Sequence, residues 1–183
     1  TAAATRDTVG TDIAQAFRLA CRQSLHRAKN EGSAVPAITL DAREMPSEPA
    51  AWETVQLPLA PALLTCAITN LVDNALRYHR GPTSVSATLQ WHAGTAGDGQ
   101  VEICVRDQGP GLTADECGHA LKRFWRKSGS DPGSGLGLTI VHRIAESAGG
   151  TLVLEPGTPG LVARLRLSTC AADAAPAHGI APG

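Results

Sequence analysis

Between Pro61 and Tyr78 the apolar residues Leu64, Ile68, Leu71, Val72 and Ala75 stand three or four positions apart. That spacing stacks them into one stripe of a helix that faces a core, and proline suits the first turn of such a helix. Asn70, Asn74 and Arg77 fall at i, i+4 and i+7 and make a second stripe on another face. Two carboxamides and a cation on a core helix cost free energy unless each finds a partner. The polar stripe therefore reads either as a satisfied hydrogen-bond ladder or as the wall of a site. A second helix is predicted from Asp12 to Lys29, with Ile13, Phe17, Ala20 and Cys21 on its apolar face, Thr11 as its cap and Gly32 as its stop. A third runs from Leu136 to Ser147 on Leu138, Val141, Ile144 and Ala145, and ends at Gly149 and Gly150. Thr113 to Leu121 is weakly helical.

Alternation predicts strands elsewhere. Ala37 to Asp41 is short and β-favouring, and Thr54 to Leu57 is a shorter candidate. Ser84 to Trp91 puts Val85, Ala87 and Leu89 on one face, and Gln100 to Arg106 does the same with Val101, Ile103 and Val105. Thr151 to Leu154 and Leu161 to Leu167 form a last hairpin around Gly157 to Gly160. Strands come in adjacent pairs and not in strict alternation with helices. This order predicts an α+β fold, a two-layer α/β sandwich whose mixed, mostly antiparallel sheet carries helices on one face. It argues against a doubly wound parallel sheet.

Composition narrows the picture. At 183 residues the chain holds one domain, expected over residues 11–169. A flexible segment is expected over 1–10 and a disordered alanine- and proline-rich tail over 170–183. The formal charge of −1 offers no basic footprint for nucleic acid. No apolar run reaches the roughly 18 residues a bilayer requires, and Thr1 opens no signal-peptide pattern. The chain reads as a piece of something longer. Five cysteines, none in a CxxC pair, suit a reducing compartment, with Cys66 and Cys104 read as small core residues.

Two glycine loops carry further chemistry. Asp107-Gln-Gly-Pro-Gly111-Leu112 follows a strand directly. A carboxylate at a strand end can accept from an exocyclic amine, and glycine lets backbone approach a flat ligand; the same residues also suit a plain turn. Gly133-Ser-Gly-Leu-Gly137-Leu138 opens a helix, where backbone N–H groups and the positive end of the dipole suit phosphate. It follows no predicted strand, so neither the dinucleotide fingerprint nor the Walker phosphate loop applies. The stretch before it, from Phe124, carries Arg126 and Lys127 and has the length of a functional lid.

In this order the motifs resemble those of the catalytic and ATP-binding domain of bacterial sensor histidine kinases, within the family of gyrase, the ninety-kilodalton heat-shock chaperone and MutL. NLVDNALRY resembles the N box, DQGPGL the G1 box, Arg123-Phe-Trp-Arg126 the F box and GSGLGLTIVHRIAESAGG the G2 box. The resemblance spans roughly Asp12 to Leu167 and implies a Bergerat-type ATP-binding fold. It implies ATP and Mg²⁺ as cofactors, with Asn74 ligating the ion and Asn70 lining the same site. Arg77 stands at a usually lysine position on the phosphates, and Tyr78 beside the adenine. Asp107 stands where the adenine amino group is read, with Gly109 and Gly111 in the same box. Gly133, Gly135 and Gly137 stand where the loop wraps the triphosphate, with Leu136 and Leu138 among them. Arg123, Arg126 or Lys127 would reach the γ-phosphate once the lid closes. The expected catalytic set is Asn70, Asn74, Arg77 and Arg126.

The departures are Arg77 for lysine, Trp125 for tyrosine and Gln108 for asparagine. None removes a required group. The phosphoacceptor motif matches none of the six histidines, of which His26 and His142 read as surface residues. The resemblance therefore implies a phosphoacceptor on a dimerisation domain upstream of Thr1. It implies a homodimeric full-length protein, anchored in the inner membrane with this domain cytoplasmic, and a cognate response regulator as partner. Competing readings are an ATP-hydrolysing relative, an anti-sigma-type serine kinase and a non-catalytic ATP-binding module. The first two place glutamate at position 70, and a neutral amide there cannot take a proton from water.

Overall fold

The computed structural model describes residues 13–30, 38–44, 56–80, 84–93, 99–127 and 134–169. Thr11, Gly32, Thr54, the 1–10 segment and the tail expected from 170 lie outside the described residues. Helix α1 (Ile13–Asn30) is followed by β1 (Ile38–Glu44), α2 (Pro61–Tyr78), β2 (Val85–Ala93) and β3 (Gly99–Arg106). Then come α3 (Ala114–Ala120), α4 (Gly137–Ser147), β4 (Thr151–Pro156) and β5 (Leu161–Ser168). Each predicted helix is present within one or two residues of its expected bounds. Of the candidate strand at 54–57 only Gln56 and Leu57 are described: Gln56 makes a single bridge and Leu57 is buried.

The five strands form one sheet in the order β1-β2-β3-β5-β4. β1 runs parallel to β2 and every other pair is antiparallel. Register lines up inward-facing rows, as in Leu89, Ile103, Leu165 and Leu152, and in Ala87, Val105, Ala163 and Leu154. All eight are buried. Because side chains alternate along a strand, the intervening residues must face away from the helices. That outward face carries Glu102, whose carboxylate takes Arg166 at 2.7 Å and Arg164 at 2.9 Å. Burial alone would raise the Glu102 carboxyl, yet the hydrogen bonds from Arg166 and Arg164 hold it below its ordinary value.

One helical layer covers the inner face. α1 packs on α2, α2 packs on α4, and α2 touches β2 and β3. The expected stripe of α2 is buried in full, at 0–3% exposure from Leu64 to Ala75. The cysteines agree with expectation at Cys21, which is buried, and in part at Cys66, which packs against the core without being enclosed by it. Cys21 and Cys117 are buried, whereas Cys66 and Cys104 are only half-buried. Cys104 alternates with Ile103 and Val105 and so faces outward, and Cys66 stands one turn before Asn70, between the core and the polar stripe of α2.

Candidate functional site

The polar stripe of α2 forms one wall of a cleft of about 430 Å³, within the usual size of small-molecule sites. Asn70, Asp73, Asn74, Arg77 and Tyr78 line it from the helix. Asp107, Pro110, Gly111 and Leu112 line it from the loop after β3, and Trp125, Arg126, Lys127, Ser134, Gly135, Gly137 and Leu138 from the segment leading into α4. Three stretches far apart in sequence therefore meet around one space.

The amide of Asn70 is oriented from behind. Its Nδ2 donates to the Cys66 carbonyl at 2.9 Å. That leaves Oδ1 facing α4, and a Cβ at Gly137 would lie 3.2 Å from it. Among the described residues no hydrogen bond engages Oδ1 of Asn70 or the amide of Asn74. Two carboxamide oxygens so placed are suitable ligands for a hard cation that keeps much of its water.

Asp107 sits on the cleft floor at 3% exposure. Its Oδ1 accepts the Gly109 N–H at 2.7 Å and the Leu161 N–H at 3.4 Å. Oδ2 accepts nothing from the described residues, so one oxygen is fixed and the other is available to a ligand. Burial pushes this carboxyl above its ordinary range, against the Gly109 and Leu161 hydrogen bonds and the nearby His79. The loop reaches this position because residue 109 is glycine: a Cβ there would come within 2.2 Å of the Tyr78 carbonyl. Gly109 thus holds Asp107 from beneath and is not among the residues lining the cleft.

The two ends of the stretch from Phe124 to Gly135 are held by short contacts. The Phe124 N–H donates to the Gly135 carbonyl at 3.2 Å, so the two ends of the stretch meet. Gly135 has φ +69° and Phe124 has φ +63°, the left-handed region in which glycine is at ease and phenylalanine is not. Lys127 donates to the Gly111 carbonyl at 3.1 Å and to Glu116 at 3.0 Å. Glu116 also closes the capping box of α3 with Thr113. The Thr113 N–H, and then Lys127, hold the Glu116 carboxyl below its ordinary value.

Of the residues predicted for the site, Asn70, Asn74, Arg77, Tyr78, Asp107, Gly111, Arg126, Lys127, Gly135, Gly137 and Leu138 line the same cleft. Leu136 caps α4 and is not among the lining residues. Gly133 lies outside the described residues. Sequence reasoning missed Asp73, which lines the cleft between Asn70 and Asn74 and pairs with Arg27 of α1. It also missed His79, buried, whose Nδ1 accepts the Gln108 N–H at 3.2 Å, and the Leu161 N–H. The signal for the last was the glycine turn before β5: Gly160, at φ +95°, lies so close to Asp107 that a Cβ would come within 2.0 Å of its carbonyl.

The model of the family described as "Histidine kinase-, DNA gyrase B-, and HSP90-like ATPase" matches residues 60–169. The chain belongs to this family. The match includes every cleft residue named above. The chain is 36% identical over 124 residues to the signal transduction histidine-protein kinase AfsQ2 of Streptomyces coelicolor, covering 66% of this chain and 21% of AfsQ2. It therefore spans only a small part of that relative. Among solved structures, a mycobacterial sensor histidine kinase MprB superposes with a TM-score of 0.60 at 26% identity, covering 85% of this chain and 95% of that one. Full-length ShkA in complex with AMPPNP has the same fold in one part, with a TM-score of 0.66 at 24% identity, covering 94% of this chain and 34% of that one.

Proposed function

We propose that this chain is the ATP-binding catalytic domain, residues 11–169, of a sensor histidine kinase. It passes the ATP γ-phosphate to a histidine on a dimerisation domain that precedes it in the whole protein. The observation that carries this reading is Asn70. It stands at the cleft wall with its Nδ2 tied to Cys66 and its Oδ1 turned to α4. An amide in that place can ligate a metal and cannot accept a proton from water at working pH, so the site favours transfer over hydrolysis.

In this reading Asn74 and Asn70 would hold Mg²⁺, a role their unengaged carboxamide oxygens suit. Mg²⁺ supplies charge neutralisation on the transferred phosphate. Arg77 and Arg126 add positive charge at the same wall. Asp107 takes the adenine amino group on Oδ2, and Tyr78 lies beside the ring. Catalysis is then positioning and electrostatic stabilisation, as phosphoryl transfer generally requires. The whole protein is a homodimer anchored in the inner membrane, with this domain in the cytoplasm and a response regulator as its downstream partner. Among the described residues no helix is long and apolar enough to cross a membrane.

The test is calorimetric titration of the chain with Mg-ATP, followed by steady-state phosphate release. Binding without turnover is expected, with release far below the ~10 s⁻¹ median of enzymes. Rapid turnover would favour an ATP-hydrolysing relative, and absence of binding would remove the reading altogether.

A further inference from the structure

The cleft carries a charge that a polyphosphate site does not obviously want. Asp73 stands on the same face of α2 as Asn70, Asn74 and Arg77, at i+3 from the first and i−4 from the last. All four line the cleft. A bare carboxylate there would repel the phosphates of a nucleotide held by its neighbours. It would also compete with the phosphates for any cation bound by the two amides. The structure gives Asp73 a partner from elsewhere. Arg27, on the last turn of α1, places Nη1 on Asp73 Oδ2. The two residues are 46 positions apart in sequence, and packing of α1 on α2 brings them together.

We propose that Arg27 is a positioning residue for nucleotide binding. It neutralises Asp73, turns that carboxylate towards α1 and so keeps the phosphate end of the cleft electropositive. This proposal rests on the reading of the cleft as an ATP site and names a determinant of that site outside the matched family segment. Residue 27 precedes residue 60, where the family match begins. Asp73 is more than a spectator in this arrangement, because it ties the nucleotide wall to the first helix of the domain. Movement of α1 relative to α2 changes the charge presented to the phosphates.

A purely structural ion pair and a charge-neutralising one predict different patterns. Both single variants of a structural pair weaken binding, through loss of the fold. In the charge reading the two singles move binding in opposite directions. Arg27→Gln frees the carboxylate and weakens Mg-ATP. Asp73→Asn removes the repulsion, leaves Arg27 as extra positive charge and tightens Mg-ATP. Adenosine, which carries no phosphate, is insensitive to both.

The experiment measures affinities of the unsubstituted chain, Arg27→Gln, Asp73→Asn and the double variant for Mg-ATP and for adenosine, at low and high salt. Arg27 is half-exposed, so screening keeps the effect modest. A loss of about fivefold for Mg-ATP is expected in Arg27→Gln, shrinking as salt rises. Asp73→Asn should gain about twofold, and the double variant should return to within about twofold of the unsubstituted chain. Adenosine should bind all four alike. The proposal is overturned by unchanged Mg-ATP binding in Arg27→Gln, by equal losses for ATP and adenosine, or by weaker ATP binding in Asp73→Asn. That last result would make Asp73 a cation ligand in its own right. If Arg27→Gln does not fold, Asp73→Asn still decides the sign. Failure of the unsubstituted chain to bind ATP overturns the site reading and this proposal together, whereas altered signs among the variants overturn the proposal alone.

Discussion

Asp107 is a single residue whose proposed role in binding carries a cost in stability. Burial raises its carboxyl above the ordinary range, although hydrogen bonds from Gly109 and Leu161 oppose the shift. A carboxylate whose folded value is raised binds more protons folded than unfolded. Its favourable contribution is therefore present below its unfolded value and lost as pH rises through its folded value. At neutral pH the ionised group is a cost. Asp107→Asn keeps an oxygen that can accept the Gly109 N–H and removes that charge. The melting temperature at pH 7 is expected to be equal or higher in the variant, with the difference vanishing in acid. Nucleotide affinity should fall at least about tenfold, because an amide turned to satisfy Gly109 presents its NH₂ to the adenine amine. Thermal melts across pH, together with ATP titrations, check both halves, and unchanged nucleotide binding would remove Asp107 from the adenine site. The residue types at positions 70, 74, 77 and 107 were legible because their chemistry is written in their side chains. Asp73 and His79 were not, because their roles depend on Arg27 and on the Gln108 N–H, which sequence spacing does not bring near.

At the scale of elements the helices read well and their contacts did not. α2 matches its predicted bounds because a three- and four-residue apolar repeat admits one buried face. The junction of β3 with β5 is a different matter. The turn before β5 packs directly on the end of β3, and Gly160 makes the approach possible. At φ +95° any side chain is strained, and the space is already filled by the Asp107 backbone. Gly160→Ala should cost at least about 2 kcal/mol and lower nucleotide affinity through the displaced carboxylate. Gly118 in α3 is a useful contrast, since a Cβ there meets nothing within 4 Å. Gly118→Ala should stabilise by about 0.5–1 kcal/mol, leaving nucleotide binding unchanged. Chemical denaturation of the two variants side by side distinguishes a glycine kept for close approach from one that is merely tolerated.

For the whole molecule, the cleft draws its walls from α2, from the loop after β3 and from the approach to α4. A ligand there bridges elements that otherwise meet mainly through the core. Anything that binds only the folded state raises apparent stability by mass action. Mg-ATP at a hundred times its dissociation constant should add about 2.7 kcal/mol, a rise of roughly 5–10 °C in melting temperature for a domain of this size. Adenosine at the same multiple of its own constant should match it, and a nucleotide without Mg²⁺ should need a higher concentration for the same shift. Differential scanning calorimetry with each ligand checks this; a shift that ignores Mg²⁺ would remove the metal from Asn70 and Asn74.

The sequence by itself determined the periodic elements, the two-layer architecture with adjacent strand pairs, and the identity of most cleft residues. Those properties follow from local spacing and from side-chain chemistry, which a linear chain displays. Only the tertiary structure decided how Asp107 is held and how Asp73 is neutralised. It also left Cys66 only half-buried at the edge of the core and placed Cys104 on the outward face of the sheet. Each of those outcomes depends on which strand lies beside which and which helix crosses which. Leu161 reaches Asp107 across 54 positions and Arg27 reaches Asp73 across 46. No local pattern encodes such distances, because only the common burial of distant apolar faces brings these groups together.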